Sequence, residues 1–149
     1  MAPRFYRHSS RRVVDLSGVW DFAFLGDRDP DRVGLERIRY DDSLPVPGCF
    51  DASPKYAAAR GLAAYRTRIE LADAAPHRLV LDGVHHWCRV FVGGRHVAEH
   101  AGGFTRFNVE LTGFAPGVTD LVVLVDNRFS PRSPLHLEYF DWYHYGGIA

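Results

Sequence analysis

No run of eighteen apolar residues occurs anywhere in the 149-residue chain, so no segment is expected to cross a membrane as a helix. Charge of one sign is not in excess either, since lysine plus arginine and aspartate plus glutamate number 18 each. A balanced surface offers no field for a polyanion, which sets nucleic acid and anionic membrane surfaces aside as partners. Cysteine is scarce: Cys49 and Cys88 have no CxxC spacing, and they read as two reduced, buried thiols rather than as a disulfide. Residues 1–12 are basic, with no apolar stretch behind them. No secretory leader is visible, and a cytoplasmic location is the expectation. Neither Gly93-Gly94 nor Gly102-Gly103 precedes a helical pattern, so a phosphate cradle is not expected, nor is any cofactor.

What the chain does have is apolar content, 46% of residues, enough for one domain over 1–149 with a full core. The periodicity of that content is two, not 3.6. Trp20, Phe22 and Phe24 fall on one face of a strand, with Asp21 and Ala23 on the other. Tyr65, Thr67, Ile69 and Leu71 alternate with Arg66, Arg68 and Glu70 in the cleanest half-buried strand. Ile38 and Tyr40 mark a short strand, and 53–64 suggests one helical turn ended by Gly61. Further strands are expected over 79–84, 87–92, 95–99 and 107–111. Gly93-Gly94 is placed as a two-residue hairpin turn, because glycine reaches positive φ without penalty. Leu121-Val122-Val123-Leu124-Val125 is continuous and β-branched, as in a strand buried on both faces. About eight strands with glycine and proline turns indicate an all-β fold, a β-sandwich or jelly roll.

Three kinds of chemistry can be weighed. A metal site would draw on His85, His86, Cys88, His96 and His100, but the paired-cysteine spacing of structural zinc is missing and no metal is expected. No G-x-S-x-G nucleophile elbow occurs, which disfavours a serine hydrolase. Carboxylates that could flank a sugar are Asp41, Asp42, Asp51, Glu138 and Asp141, and spacing in sequence cannot pair any two of them.

The richest stretch lies near the C-terminus, Phe140-Asp141-Trp142-Tyr143-His144-Tyr145-Gly146-Gly147-Ile148. Aromatic faces stack on the C–H face of a sugar, and a fixed carboxylate accepts two hydroxyl protons. Asp141, Trp142, Tyr143, His144 and Tyr145 are therefore the candidate sugar-contacting residues. The alternative is an aromatic cluster that pins a loop to a β-core.

Taken in order, the motifs resemble a known family. Leu16-Ser17-Gly18-Val19-Trp20-Asp21-Phe22 is similar to "L-x-G-x-W-x-F", Val46-Pro47-Gly48-Cys49-Phe50 to "V-P-G-x-[WF]", and Tyr65-Arg66-Thr67-Arg68-Ile69 to "Y-R-R-x-F". Leu81-Asp82-Gly83-Val84 and Val90-Phe91-Val92-Gly93-Gly94-Arg95 resemble "F-x-G-V…V-x-V-N-G". His100-Ala101-Gly102-Gly103-Phe104-Thr105-Arg106-Phe107 resembles "H-x-G-G-Y-x-P-F", and the stretch ending in Val125-Asp126-Asn127 resembles "L-x-V-x-V-D-N". Asp141 to Ile148 resembles "D-F-F-x-Y-G-G-I". These are motifs of the N-terminal sugar-binding domain of glycoside hydrolase family 2, the β-galactosidase, β-glucuronidase and β-mannosidase group.

The resemblance implies a galactose-binding-like jelly roll set against a catalytic (β/α)₈ barrel that is not in this chain. The barrel would supply both catalytic glutamates of a retaining hydrolase acting on a terminal β-linked sugar. No catalytic residue is then expected in 1–149, and Asp141 matches the family aspartate that hydrogen-bonds the terminal sugar. Departures are Gly93 for the usual Asn, Arg106 for the usual Pro, and Ala64 where Trp often precedes the tyrosine. The family pattern continues beyond Ala149 with an arginine and a further strand. The chain is accordingly expected to be a fragment of a longer glycosidase. Its partners would be a terminal sugar, that barrel, and a second copy paired through an exposed sheet edge. A stand-alone carbohydrate-binding module, with Trp142, Tyr143, Tyr139 and His136 as platform, is the competing reading, and a purely structural interaction domain a third.

Overall fold

The computed structural model describes residues 12–130, 132 and 145–149. Eleven strands are formed among them: β1 Gly18–Gly26, β2 Asp42–Val46, β3 Gly48–Cys49, β4 Leu62–Leu71, β5 His77–Leu81, β6 Val84–His85, β7 Trp87–Val92, β8 Arg95–Ala101, β9 Phe107–Leu111, β10 Gly117–Asp126 and β11 Gly147–Ile148. Every pairing is antiparallel. Six strands make the main sheet in the order β2-β1-β4-β10-β7-β8, while β5-β9 and β3-β11-β6 form smaller sheets. The fold is thus the expected all-β sandwich of jelly-roll type.

The period-two pattern decides which layer each side chain joins. Trp20 and Phe22 of β1, Tyr65 and Ile69 of β4, Val90 and Val92 of β7 and Leu121, Val123 and Val125 of β10 face inward. There they meet Leu79 and Leu81 of β5 and Val109 and Leu111 of β9. Phe22 sits edge-on to Tyr65 with ring centroids 4.9 Å apart, the geometry that aromatic quadrupoles favour.

The opposite face of the main sheet is also covered. Ala23, Leu62, Ala64, Trp87, Val122 and Leu124 form a second cluster with Ile38, and Val33, Leu35 and Tyr40 pack on it. This explains the uninterrupted apolar run of β10, which contributes to both clusters. It also corrects one expectation. Ile38 and Tyr40 form no strand; they follow two 3-10 turns, Pro30–Arg32 and Leu35–Arg37, and their alternation lays both side chains on the outer sheet face. The helical turn expected within 53–64 is a single 3-10 turn, Pro54–Tyr56, and β4 starts directly after Gly61.

The β7–β8 hairpin turns at Gly93 and Gly94, with φ of +55° and +79°, the doubly positive geometry that a two-residue turn requires.

The two thiols are free, and only Cys88 is buried; Cys49 is exposed, contrary to expectation. Burial pushes the Cys88 thiol up to about 12. The Cys49 thiol is raised less, by partial desolvation and by the Asp51 carboxylate nearby. A disulfide-exchange reagent at pH 8 should therefore consume one thiol equivalent quickly and the second only as fast as the protein unfolds. Two equivalents in the initial burst would contradict this burial of Cys88.

Candidate functional site

One end of the sandwich gathers segments far apart in sequence. There β11 lies between β3 and β6, with Gly147 opposite both Cys49 and His85 and Ile148 opposite both Gly48 and Val84. The glycines are needed for close approach. A Cβ on Gly147 would lie 2.1 Å from the Gly48 carbonyl oxygen, and one on Gly146 would lie 2.5 Å from Cε1 of Phe50. Ile148 then enters the inner core.

A buried polar network fastens this strand. Asp51 follows the V-P-G-x-F motif on the 3-10 turn Phe50–Ala52 and is 3% exposed. Its Oδ1 accepts from the Gly146 amide at 2.9 Å, and its Oδ2 accepts from Asn127 Nδ2 at 3.0 Å. Asn127 also donates to the Ala59 carbonyl, and its Oδ1 accepts from the Gly61 amide. The Phe50 amide donates to the Gly146 carbonyl. A fully buried carboxylate and amide are tolerable because each is hydrogen-bonded. Asp51 is therefore a structural acceptor in this network. Asp42 is engaged by Lys55 and by the Tyr56 hydroxyl, both at 2.9 Å, and the Lys55 bond holds its carboxyl at about 2.

Beside this network the backbone amide of the fully buried His86 donates to the Asp126 carbonyl, and the His86 ring stacks on Phe129. His85 is edge-on to the exposed ring of Phe104 at 4.7 Å. Neighbouring Cys88 points into the core. His96 bonds the Ala98 carbonyl, and His100 stacks on Phe107 with centroids 4.1 Å apart. The His85 and His86 ring centroids lie 5.9 Å apart, and among the described residues no three of His, Cys, Asp and Glu converge on a point.

A second anchor lies in the Gly26-Asp27-Arg28-Asp29-Pro30-Asp31-Arg32 segment. Arg128 makes a bidentate bond to Asp126 and donates to the Arg28 carbonyl. Arg132 donates to Asp31 and lies 3.9 Å from Asp29. Arg89, well buried for a cation, donates to both Asp31 and Glu99 at 2.9 Å. Hydrogen bonds from Arg89 and then Arg132 hold the Asp31 carboxyl below the usual carboxylate range.

Of the candidate sugar-contacting residues, Tyr145 is described and is about half exposed. Asp141, Trp142, Tyr143 and His144 lie outside the described residues, as do His136, Glu138 and Tyr139. What the structure places are both flanks of the stretch that holds them. Arg132 rests on the acidic loop, and Tyr145 leads directly into Gly146 and the Asp51 network. Asp51, Asn127 and Asp31 were not legible as anchors. The signal present in sequence was an aspartate one position beyond V-P-G-x-F and the Asp126-Asn127 pair that closes β10. A shallow hollow lined by Asp21, Arg66, Arg68 and Asp120 lies toward the other end of β4 and β10.

No family model matches the chain. Among curated proteins it is 33% identical over 133 residues to a β-glucuronidase of Paenibacillus borealis, covering 80% of this chain and 22% of that protein. It is 30% identical over 106 residues to a β-glucuronidase of Streptococcus agalactiae, covering 67% of this chain and 17% of the relative. Among solved structures, a GH2 β-galacturonidase from Eisenbergiella tayi bound to galacturonate superposes with a TM-score of 0.82 at 33% identity, over 99% of this chain and 25% of that one. The chain spans about a quarter or less of the length of each of these relatives.

Proposed function

Starting from the fact that the chain is a β-sandwich domain of glycoside hydrolase family 2, we propose that it is the non-catalytic sugar-binding domain of a β-glycosidase. It lines the terminal-sugar pocket together with a catalytic barrel, and Asp141 accepts hydroxyl protons of the bound sugar, with Trp142, Tyr143, His144 and Tyr145 around it. The whole protein hydrolyses terminal β-linked hexuronides with retention, the barrel supplying acid/base and nucleophile. The glucuronidase and galacturonidase relatives support the hexuronide class. The observation that carries the reading is the anchoring of Tyr145-Gly146-Gly147 by Asp51, Asn127 and two flanking strands. A carboxylate stabilises a sugar hydroxyl in proportion to how firmly it is placed beforehand, and a site on a clamped flank meets that need.

Half a pocket encloses little of a monosaccharide, so this chain alone should bind at about millimolar Kd or weaker. The test is an amide NMR titration with glucuronate, galacturonate, galactose and mannose. Selective shifts around Tyr145 and Gly146 with the two hexuronates, lost in Asp141→Ala, are expected. Identical responses to all four sugars, or responses that survive Asp141→Ala, would reject the assignment. Turnover of a nitrophenyl β-glycoside by this chain alone would reject the non-catalytic role.

A further inference from the structure

The acidic loop at 26–32 has a use that the clamp around Gly147 leaves untouched. Three aspartates at alternate positions, Asp27, Asp29 and Asp31, face arginines that come from 58 to 103 positions away in sequence. Arg128 reaches Asp27 and the Arg28 carbonyl, and Arg132 reaches Asp29 and Asp31. These two arginines are four positions apart, on the chain that leaves β10 and leads, nine positions after Arg132, to Asp141. The loop is itself held from beneath. Arg89 of β7 donates to Asp31 and to the Pro30 carbonyl, while Glu99 of β8 ties down both Arg89 and the Trp87 indole. The Arg89 and Arg132 guanidiniums both lie over the Trp87 ring, at 5.1 and 5.6 Å from its centroid.

We infer that Asp31 is a positioning residue for the sugar-facing stretch. Held by Arg89, it fastens Arg132 and so fixes where the chain departs toward Asp141. An isolated surface ion pair would hold little, but Asp31 shares one carboxylate between two guanidiniums, one of them largely buried, and such networks are the case in which charge pairing does position a chain. The N-terminal flank of the stretch is thus secured by charge and its C-terminal flank by buried hydrogen bonds and strand pairing. This rests on the proposed function for its purpose, though not for its measurement.

The experiment is hydrogen exchange read by mass spectrometry on peptides covering 129–145 and, as an internal control, 117–126. It uses the wild-type chain, Asp31→Asn, Asp31→Glu, Arg132→Gln and the Asp31→Asn/Arg132→Gln double variant. Exchange in 129–145 should rise about tenfold in each neutralising variant and less than additively in the double variant, since the Asp31–Arg132 contact is lost by either change. It should return to near the wild-type rate in Asp31→Glu, while 117–126 stays protected throughout. One molar salt should accelerate the wild type toward the Asp31→Asn rate and leave Asp31→Asn unchanged. Equal rates in wild type and Asp31→Asn, or additive effects in the double variant, would overturn the inference. Should Asp31→Asn also expose 117–126, Arg132→Gln decides by itself, because its side chain lies at the surface. A hexuronate titration on the same samples separates the two ideas. Altered exchange without sugar-dependent shifts in the wild type keeps the positioning role and rejects the sugar, and the converse result rejects the positioning role.

Discussion

Gly147→Ala should lower the stability of the chain by about 3 kcal/mol, at the top of the range for overpacking. The new methyl carbon would sit 2.1 Å from the Gly48 carbonyl oxygen and 2.8 Å from the Cys49 Cα. Both are backbone atoms of the paired strand, so no rotamer change relieves the contact and β11 must move off β3. Ile148, 3% exposed, is then drawn out of the core, and burial of such a side chain contributes about 1.5–3 kcal/mol. The comparison that isolates close approach is Gly94→Ala. That glycine has φ of +79°, and a methyl group there would meet nothing within 4 Å, so only the backbone preference is lost, about 1–2 kcal/mol. Urea unfolding of the two variants should show a clear gap in midpoint at equal slope. Equal midpoints would mean that β11 yields without penalty and that the clamp is soft.

Asn127→Ala is expected to cost about 3 kcal/mol. The side chain makes three bonds inside the fold, to Asp51, to the Ala59 carbonyl and from the Gly61 amide. Its loss removes the acceptor of a buried amide and one donor to a buried carboxylate, and such unsatisfied groups cost about 1–3 kcal/mol each. Asn127→Asp is the sharper comparison. It keeps the acceptor for Gly61 but replaces the donor with a second carboxylate facing Asp51, so at neutral pH it should be at least as destabilising as alanine. An Asn127→Asp variant as stable as wild type in thermal denaturation would show that the Asp51 contact contributes nothing. Because Asp51 also holds the Gly146 amide, both variants should shift the Tyr145 and Gly146 amide resonances, carrying a core defect to the flank of the stretch proposed to meet the sugar.

The strands were legible because their partners announce themselves locally. Trp20-Asp21-Phe22-Ala23-Phe24 alternates since one side of β1 faces the inner core and the other the outer cluster. The run 121–125 is uniformly apolar because both sides of β10 are covered. The same logic misled at Ile38 and Tyr40, where alternation reflects two side chains laid on a sheet by a chain that is not part of it. Periodicity reports which side chains are buried and is silent on whether the backbone hydrogen-bonds to a neighbour. Of the proposed site, the sequence carried a motif but no sign of the supports on its flanks. Asp51 looked like any other candidate carboxylate, and nothing local singled out Asp31. What distinguishes them is a partner 76 or 101 positions away, Asn127 for one and Arg132 for the other, and no local pattern encodes that.

The central place of β11 also bears on how the chain comes to be folded as it is made. A strand flanked on both sides cannot be an afterthought to the sheet it completes. Until Gly147 and Ile148 leave the ribosome, β3 and β6 each present an unpaired edge, Val84 and Phe50 lack their cover, and Asp51 waits for the Gly146 amide. Those edges, separated by some 35 residues of already synthesised chain, stay available to wrong partners until β11 has emerged. This end of the sandwich therefore closes only once β11 has been made. Shielding of its nascent form is needed at the end where sugar recognition is proposed, and not at the hairpin of Gly93 and Gly94, which can form as soon as β8 is made.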